Sequence, residues 1–336
     1  MTGWRRWMAV VAGLALTGAV ATPGAALAQS STPVPVQTEV QQAQAQTPAP
    51  SPAQPTQVQT EGPAAPAAPA PEAAPNTGRV SLTLGADWAS AYFFRGIATT
   101  QNGGNNVQPY AEVGFRLLEN MGPLTSLHAS PGIWNNWHWG GGLLVEPGDP
   151  DFWTEADLYF KLNAVWWEVL STSVTYTYYT SPNNSFTSYS DVGLGFALSD
   201  SKWLGAFAVN PSILFAFETT GEALVADGKK GIYMGIGLAP GYTFFAESSF
   251  PVNLSTPMTF GFSLKDYYTV NGVNQTFGFF SGGPLITLPL KFIPNTFGNW
   301  SLKAGVQFLV LNSNLKAVNT NDGFVPIGSV GLSLTY

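Results

Sequence analysis

The sequence predicts an all-β protein: a single antiparallel up-and-down transmembrane β-barrel of about 12 strands, preceded by a disordered Pro/Ala/Gln-rich linker. Alternating apolar and polar residues recur from Arg79 to Tyr336. Charged residues make up only 10% of the chain, whereas soluble domains carry roughly 25%. Beyond the N-terminal segment, no stretch approaches the roughly 20 consecutive apolar residues of a membrane helix. Because a lipid-exposed backbone must satisfy its polar groups internally, such a membrane protein has to be a closed barrel.

Residues 1–28 have the features of a signal peptide. Arg5 and Arg6 precede an apolar run over 8–20, and residues 26–28 read Ala-Leu-Ala, a small-x-small cleavage site. An uncleaved membrane anchor is the alternative, but the apolar run is short and is soon followed by a proline. We therefore expect export and a place in the outer membrane of a Gram-negative cell.

Residues 29–78 are rich in Pro, Ala and Gln and contain few large apolar side chains. Such a composition cannot bury enough surface to fold, so a disordered periplasmic linker is predicted. Pro-rich spacers keep some stiffness, and the segment either is passive or reaches the cell wall or a periplasmic partner.

Residues 79–336 form the predicted barrel. In its first strand Val80, Leu82 and Leu84 alternate with Ser81 and Thr83, which is the pattern of a half-buried strand. The same alternation predicts strands over 107–117, 155–162, 170–178, 192–198, 232–238, 300–310 and 330–336. Less regular segments, interrupted by prolines, complete the count over 125–137, 203–217, 251–264 and 275–292.

The connections between the predicted strands alternate in length, as in bacterial barrels with long outer loops and short periplasmic turns. The longer ones are 95–106, 138–152, 218–229, 265–274 and 313–323. The shorter ones are 118–124, 164–168, 199–202, 247–250 and 293–298, and the small connection 181–186 is the exception. This pattern predicts that both termini lie on the periplasmic side. The last strand, 328–336, looks like the C-terminal assembly signal of such barrels, although Tyr336 stands where Phe is usual.

Residues 84–96 read Leu-Gly-Ala-Asp-Trp-Ala-Ser-Ala-Tyr-Phe-Phe-Arg-Gly. This aromatic-rich run into Arg95-Gly96 resembles the first strand of the TorF-type porin family, an outer-membrane barrel family. The family's second to fifth strands are similar to residues 108–112, 132–134, 154–159 and 175–179. The resemblance covers the first half of the barrel and implies no substrate. The double Trp at 166–167, the long linker and the loop lengths depart from the family pattern.

Charged residues opposite the apolar face of their strands are predicted to line the lumen. They are Asp87, Glu112, Arg116, Glu155, Asp157, Lys161, Asp191 and Lys303. These charges either pair and close a narrow lumen or line a water path that selects solutes by charge. Five acids against three bases indicate a mild preference for cations or neutral solutes. Arg95 is expected either to fold inward as a constriction or to begin the first loop.

Glu155 and Asp157 lie two residues apart on one strand face, a spacing that suits Ca²⁺ or an acid/base pair. We favour ion pairing with Arg116 or Lys161. The chain has no cysteine, which excludes disulfides and thiolate metal sites. Its formal net charge of −7 argues against nucleic acid as a partner. No cofactor and no metal site are predicted.

An enzyme of the barrel-lipase type would need a Ser/His pair near the lipid boundary. The only histidines are His128 and His138, and His138 lies among Trp134, Trp137 and Trp139. We interpret this cluster as an interfacial aromatic belt. No Gly-x-Ser-x-Gly segment accompanies either histidine, so catalytic activity is not predicted.

The expected function is a porin-like channel for passive diffusion of small hydrophilic solutes, with membrane lipids and those solutes as partners. A closed structural or adhesive barrel with a periplasmic tether is the alternative, and a lipid hydrolase using His128 or His138 is a third hypothesis. A soluble secreted β-sandwich is the competing fold.

Overall fold

The computed structural model of the chain describes residues 78–100, 105–139, 152–221, 229–319 and 321–336. The predicted signal peptide, 1–28, and the predicted linker, 29–78, lie outside these residues except for Gly78. Strands make up most of the described chain. The helices in this part are short, and none has the length and apolar character needed to cross a membrane.

The described residues contain 19 strands. In chain order they are β1 (Val80–Ala89), β2 (Tyr92–Phe94), β3 (Ile97–Thr100), β4 (Asn105–Met121), β5 (Leu124–Trp139), β6 (Trp153–Trp166), β7 (Leu170–Thr180), β8 (Tyr189–Leu198), β9 (Ser212–Thr220), β10 (Ile232–Leu238), β11 (Gly241–Phe244), β12 (Val252–Ser255), β13 (Met258–Lys265), β14 (Thr269–Val270), β15 (Val273–Asn274), β16 (Phe277–Gly282), β17 (Leu285–Pro289), β18 (Asn299–Leu311) and β19 (Phe324–Thr335). The helices are α1 (Ser201–Leu204) and α2 (Ser313–Val318), with 3₁₀ turns at Gly205–Phe207 and Asn295–Phe297.

The main sheet closes into an antiparallel barrel of 12 strands, as predicted. Neighbours pair in sequence from β1 and β4 round to β18 and β19, and β19 then pairs with β1 from Ser329 opposite Ala89 to Thr335 opposite Thr83. Three of the barrel strands are each built from two segments, namely β10 with β11, β12 with β13, and β16 with β17. The hairpins β2–β3 and β14–β15 stand outside the barrel sheet.

Prolines explain the three divided strands. Pro240, Pro257 and Pro284 lie at the breaks in adjacent strands, and each lacks the N–H that would continue the ladder. Their carbonyl groups still accept hydrogen bonds from the next strand: Thr256 N donates to Pro240 O at 2.9 Å and Val306 N donates to Pro284 O at 3.1 Å. The sheet therefore stays continuous across the breaks on the acceptor side.

The connections define two ends of the barrel. The loop end is the end at which the barrel strands flanking residues 90–104, 140–152, 181–188, 221–231, 266–276 and 312–323 begin or finish. The turn end carries 122–123, 167–169, 199–211, 245–251 and 290–298. The predicted alternation of longer and shorter connections holds at most positions. It fails at 199–211, which is longer than the connection 181–188 on the opposite end.

The predicted strand over 203–217 is wrong in its first half. Residues of α1 and the following 3₁₀ turn occupy this region, and β9 begins only at Ser212. The Asp200 carboxylate accepts hydrogen bonds from Val209 N at 3.1 Å and Asn210 N at 3.0 Å, which closes the segment into a compact turn. Local side-chain to backbone bonding by Asp competes with sheet formation in this way.

The outer surface of the barrel is apolar and its inner surface is polar. On β6, Leu158, Phe160 and Leu162 are 51%, 48% and 40% exposed, whereas Asp157 and Lys161, at alternating positions of the same strand, are buried. Other large apolar side chains exposed on the barrel strands are Leu84, Trp88, Val174, Tyr176, Tyr178, Leu302, Val306, Phe308, Val310, Val330 and Leu332. This arrangement is the inverse of a water-soluble protein and is typical of a barrel surrounded by lipid.

Glycines on the inner face let aromatic rings lie flat against the neighbouring strand. The ring of Tyr110 covers Gly85, and the ring of Tyr159 covers Gly132, so that a Cβ at either glycine would overlap the ring. Phe279 covers Gly261 in the same manner. Because these rings lie along the wall, they reinforce the sheet without crossing the lumen.

Substitution of Gly132 by Ala should destabilise the barrel by about 1–3 kcal/mol, because the new methyl group displaces the Tyr159 ring. The matched control is Gly193→Ala on β8, where a Cβ would meet the nearest atom, Leu214 Cδ1, at 3.4 Å. Thermal unfolding in detergent micelles, followed by the gel shift between folded and boiled barrel, measures both. Equal melting temperatures for the two variants would contradict the packing role of Gly132.

Candidate functional site

The inner face becomes progressively more buried from the turn end to the loop end. On β7 the inward residues Ser171, Ser173 and Thr175 are half-buried, Thr177 is 4% exposed and Tyr179 only 2%. The same gradient follows β18, where half-buried polar residues near the turn end give way to buried leucines near the loop end. The lumen is therefore filled at the loop end and less filled at the turn end.

A hairpin folded into the barrel fills the loop end. The connection after β1 turns inward, and its strands β2 and β3 form what we call the plug hairpin, residues 92–100. Its residues Tyr92, Phe93, Phe94, Ile97 and Ala98 are each at most 6% exposed. Burial of each large apolar side chain contributes about 1.5–3 kcal/mol, so the hairpin is a packed part of the fold.

Arg95 forms the tip of the plug hairpin. Arg95 and Gly96 have φ angles of 48° and 87°, the left-handed conformation that a tight hairpin turn requires. A side chain at Gly96 would also meet Leu315 and Phe279, at 2.8 Å from each. Backbone conformation and close packing therefore both favour glycine here.

The Arg95 guanidinium is enclosed by a group of side chains that we call the arginine cage: Phe94, Tyr179, Asp191, Tyr233 and Tyr267. Its Nη2 donates to Asp191 Oδ2 at 2.9 Å and its Nη1 donates to Tyr267 Oη at 3.1 Å. The guanidinium carbon lies 4.4 Å from the Phe94 ring centroid and 4.8 Å from that of Tyr233. Arg95 and Asp191 are 4% and 2% exposed, so the ion pair is fully buried.

The backbone of the hairpin tip is recognised as well. Tyr268 Oη donates to the Arg95 carbonyl at 2.9 Å. The Asn319 side chain makes two bonds, accepting from Ala98 N at 2.8 Å and donating to Gly96 O at 2.8 Å. These contacts hold the tip from the connections 266–276 and 312–323 at the loop end.

An apolar and aromatic cluster surrounds these polar contacts. Its members outside the hairpin include Tyr179, Phe186, Tyr189, Tyr233, Tyr267, Tyr268, Phe279, Leu309, Leu311, Leu315 and Ile327. Tyr179 stacks on Tyr189 with ring centroids 4.3 Å apart. The loop end of the lumen is thus packed like a protein core.

Four of the predicted lumen charges form two buried pairs. Lys161 donates to Glu112 at 2.8 Å, and Lys303 lies 3.3 Å from Asp87. Tyr159 also donates to Glu112, at 3.1 Å. All four charged residues lie on the inner face of the barrel.

Glu155 and Asp157 are also buried on the inner face of β6, at 1% and 0% exposure. Glu155 accepts a hydrogen bond from Tyr92 Oη at 2.8 Å. Burial, and to a smaller extent the Glu155 carboxylate, raises the pKa of the Tyr92 phenol well above its ordinary value, so the phenol remains the donor. Within the described ranges no group of three or more acidic or histidine side chains is placed to hold a metal ion.

Arg116 differs from its predicted pairing. It lies near the turn end and bonds Glu119 at 2.6 Å on the same strand, rather than Glu155 or Asp157 further along the lumen. Both partners are more than a third exposed. The separation along the barrel explains the difference, because Arg116 is close to the turn 122–123 whereas the two acids lie near the loop end of β6.

His138 is placed differently from its interpretation as a belt residue. His138 is completely buried on the inner face of β5, opposite Asn106 of β4, while Trp139 beside it faces outward and is 42% exposed. Trp134 also faces inward, packed against Tyr92 with ring centroids 5.3 Å apart. The strand alternation through this region separates residues that the sequence groups together.

Sequence reasoning missed the tyrosines and the asparagine that hold the plug hairpin. Tyr179 and Tyr233 carry a usable signal, since each continues the inward face of its strand near the loop end. Tyr267, Tyr268 and Asn319 lie in connections, where no periodicity marks them. Only the folded chain brings these residues to Arg95.

No protein-family model matches the chain, and no curated protein matches its sequence. Solved structures similar to it include the β domain of the Bordetella autotransporter BrkA, with 9% identity, a TM-score of 0.39 and coverage of 77% of this chain and 99% of that one. The NanC porin has 10% identity, a TM-score of 0.38 and coverage of 75% and 98%. Outer membrane phospholipase A from Escherichia coli has 12% identity, a TM-score of 0.34 and coverage of 76% and 92%. These scores are too low to carry a functional conclusion, and membership of the TorF-type family stays a prediction.

Replacing Arg95 by Ala should lower the free energy of unfolding by about 3–5 kcal/mol, because it leaves the Asp191 carboxylate buried without its cation. Asp191→Ala should have a similar effect, and the double variant should lose less than the sum of the two. Urea unfolding in detergent micelles measures all three.

The control for this cycle is the pair Arg116 and Glu119, whose side chains are 36% and 42% exposed. Its double-mutant cycle should give a coupling of about 0–1 kcal/mol. Strict additivity of the Arg95 and Asp191 variants would show that the buried pair is not coupled.

Proposed function

We propose that the protein is a porin-like channel of the outer membrane for small hydrophilic solutes, held closed at its loop end by the plug hairpin. The barrel fold and the predicted signal peptide together support an outer-membrane location, because exported membrane proteins without apolar helices are barrels. The apolar outer face supports lipids as the surrounding partner. By the loop pattern, the loop end faces outside and the turn end faces the periplasm.

A wall of small residues carries the channel proposal. On the inner face of β7, Ser171 and Ser173 are followed by threonines, and on β8 and β10 the inward residues below the arginine cage are glycines. Side chains of this size leave room for water and solute, and on β9, between β8 and β10, the half-buried Leu214 packs beside Gly193 and narrows this space below the plug hairpin. A structural barrel has no need to keep one wall small and polar.

The buried ion pairs set the charge character of this pathway. Asp87 with Lys303 and Glu112 with Lys161 largely neutralise each other on the wall formed by β1, β4, β6 and β18. The sequence-based preference for cations therefore does not follow from those four residues. Small neutral solutes and cations are the expected cargo, since Asp191 is paired with Arg95, and Glu155 and Asp157 are further acidic residues of the inner face.

The closed structural or adhesive barrel remains the second candidate, and the dense packing of the plug hairpin favours it. In that case residues 29–78 would bind the cell wall or a periplasmic partner, and their deletion would abolish co-sedimentation with cell wall. No observation favours a lipid hydrolase, since His138 is buried inside the barrel away from the lipid-facing surface. We therefore propose no catalytic activity.

The absence of cysteine from the sequence allows a site-specific test. In a variant whose plug hairpin is replaced by a short Gly-Ser link, planar bilayers should show single-channel steps that are rare in the natural protein. When Ser173, on the inner face of this plug-free variant, is replaced by cysteine, a charged water-soluble thiosulfonate should reduce the single-channel conductance of the variant. The matched control is Val174→Cys on the outer face, which should not respond because lipid covers it.

Equal response of the two cysteines would contradict the assignment of inner and outer faces. A correctly folded plug-free variant that gives no single-channel steps, in liposomes that do not swell in any sugar, would overturn the channel and leave the closed barrel.

A further inference from the structure

The arginine cage has the composition of a ligand site. We propose that it is a binding site for guanidinium-type organic cations, occupied in this structure by the chain's own Arg95. We propose further that an external cation of this class competes with Arg95 and thereby releases the plug hairpin. The second step rests on the proposed channel function, whereas the first does not.

The chemistry of the cage matches a guanidinium ion. A planar cation with several N–H donors is best held by a carboxylate, a further oxygen acceptor and aromatic faces. Asp191 supplies the carboxylate at 2.9 Å, the Tyr267 hydroxyl supplies the second acceptor at 3.1 Å, and the ring centroids of Tyr233 and Tyr267 lie 4.8 Å and 5.5 Å from the guanidinium carbon.

Most of the cage belongs to the barrel and not to the hairpin. Asp191 lies on β8, Tyr233 on β10 and Tyr267 in the connection after β13, so only Phe94 moves with Arg95. If the hairpin leaves, three of the four groups that contact the guanidinium stay in place. The binding site is therefore formed mainly by residues outside the plug hairpin, and the Arg95 side chain of the hairpin occupies it.

The side chains of the arginine cage are also held in position by contacts with one another. Tyr179 donates to Asp191 Oδ2 at 3.0 Å, the same oxygen that accepts from Arg95. Tyr179 is itself fixed by stacking on Tyr189, and the Tyr233 and Tyr267 rings pack together with centroids 5.3 Å apart. A preorganised acceptor and preorganised rings lower the cost of ordering the site on binding.

Small residues lead from the turn end to the cage. Below Asp191 the inner face of β8 continues with Gly193 and Gly195, and below Tyr233 the inner face of β10 continues with Gly235 and Gly237. These two strands add no large side chain below the Tyr233 ring, whereas β9 between them presents the half-buried Leu214 beside Gly193, which a solute passes before it reaches the carboxylate. This connection links the cage to the pathway described above.

The stability of the docked plug hairpin determines how tightly an external cation must bind to displace Arg95 from the arginine cage. The hairpin is tethered and buries five apolar residues, so the closed state is strongly favoured without ligand. A ligand shifts such an equilibrium only by its preference for the open state. The natural protein should therefore respond to cations only at high concentration, whereas a chain without the arginine side chain should bind them directly.

The test uses full-length Arg95→Ala protein and ethylguanidinium as the probe. At a concentration about ten times the Kd, ethylguanidinium should raise the melting temperature of this variant by about 3–6 °C. Ethylurea, a neutral molecule of the same shape, should not stabilise it, and sodium chloride at equal ionic strength controls for screening. The response should disappear in Arg95→Ala/Asp191→Asn.

Should Arg95→Ala fail to fold alone, the same cation provides a second readout. Refolding in ethylguanidinium should then restore the folded band on a gel, and refolding in ethylurea should not. Absence of both stabilisation and rescue overturns the cage proposal, as does an equal effect in the Asp191→Asn background.

Conductance separates this proposal from the proposed function. If the plug-free variant conducts but ethylguanidinium neither stabilises nor rescues Arg95→Ala, the cage is wrong and the channel stands. If the cation binds Arg95→Ala but does not increase openings of the natural protein over equal ionic strength of sodium chloride, the cage stands and plug release is wrong. If binding is seen and no variant conducts, the channel is wrong and the cage is a binding site of a closed barrel.

Discussion

Backbone hydrogen bonding between the first and last strands is the constraint on which this structure depends. Pairing of β19 with both β1 and β18 leaves the barrel sheet without a free edge in that region. In lipid an unpaired N–H or C=O group costs several kcal/mol, so closure determines whether the apolar outer face can exist at all. Once the sheet is closed, every second side chain faces a confined interior. The inner polar residues, the plug hairpin and the arginine cage all follow from that geometry.

The wall of the barrel and the loop end of its lumen are packed in different ways. At several positions on the wall an aromatic ring lies flat over a glycine, as Tyr110 does over Gly85, and so packs against the neighbouring strand. At the loop end the hairpin supplies side chains that the strands do not, and the remaining space becomes a core. Arg95 connects the two regions because its charge requires a carboxylate that only the wall provides. A buried cation paired with a buried carboxylate makes the position of the hairpin specific, since any other placement leaves Asp191 desolvated and without its cation.

The sequence predicts the barrel well because its signal is local. Alternation of period two identifies most strands, and the inward position of residues such as Asp87 and Lys161 follows directly. The errors lie where a local feature interrupts that period, as at Asp200, whose side chain bonds the backbone and delays β9. The direction taken by Arg95 could not be decided from sequence, because it depends on contacts with β8 and with residues more than 170 positions away, including Tyr267. Periodicity also cannot show which inward charges pair, as the Arg116 contact illustrates.

The prolines at 240, 257 and 284 divide three adjacent strands of the barrel wall at one level. Each proline removes a donor from the ladder, and since the three lie in adjacent strands the weakened bonds form a seam along the hydrogen-bonding direction. Bending is concentrated where a sheet has fewest bonds. Above the seam, Tyr233 of β10 and Phe279 of β16 belong to the cluster that surrounds the hairpin. At this level the wall is therefore joined through proline carbonyl groups, which accept hydrogen bonds from the next strand although the prolines cannot donate them.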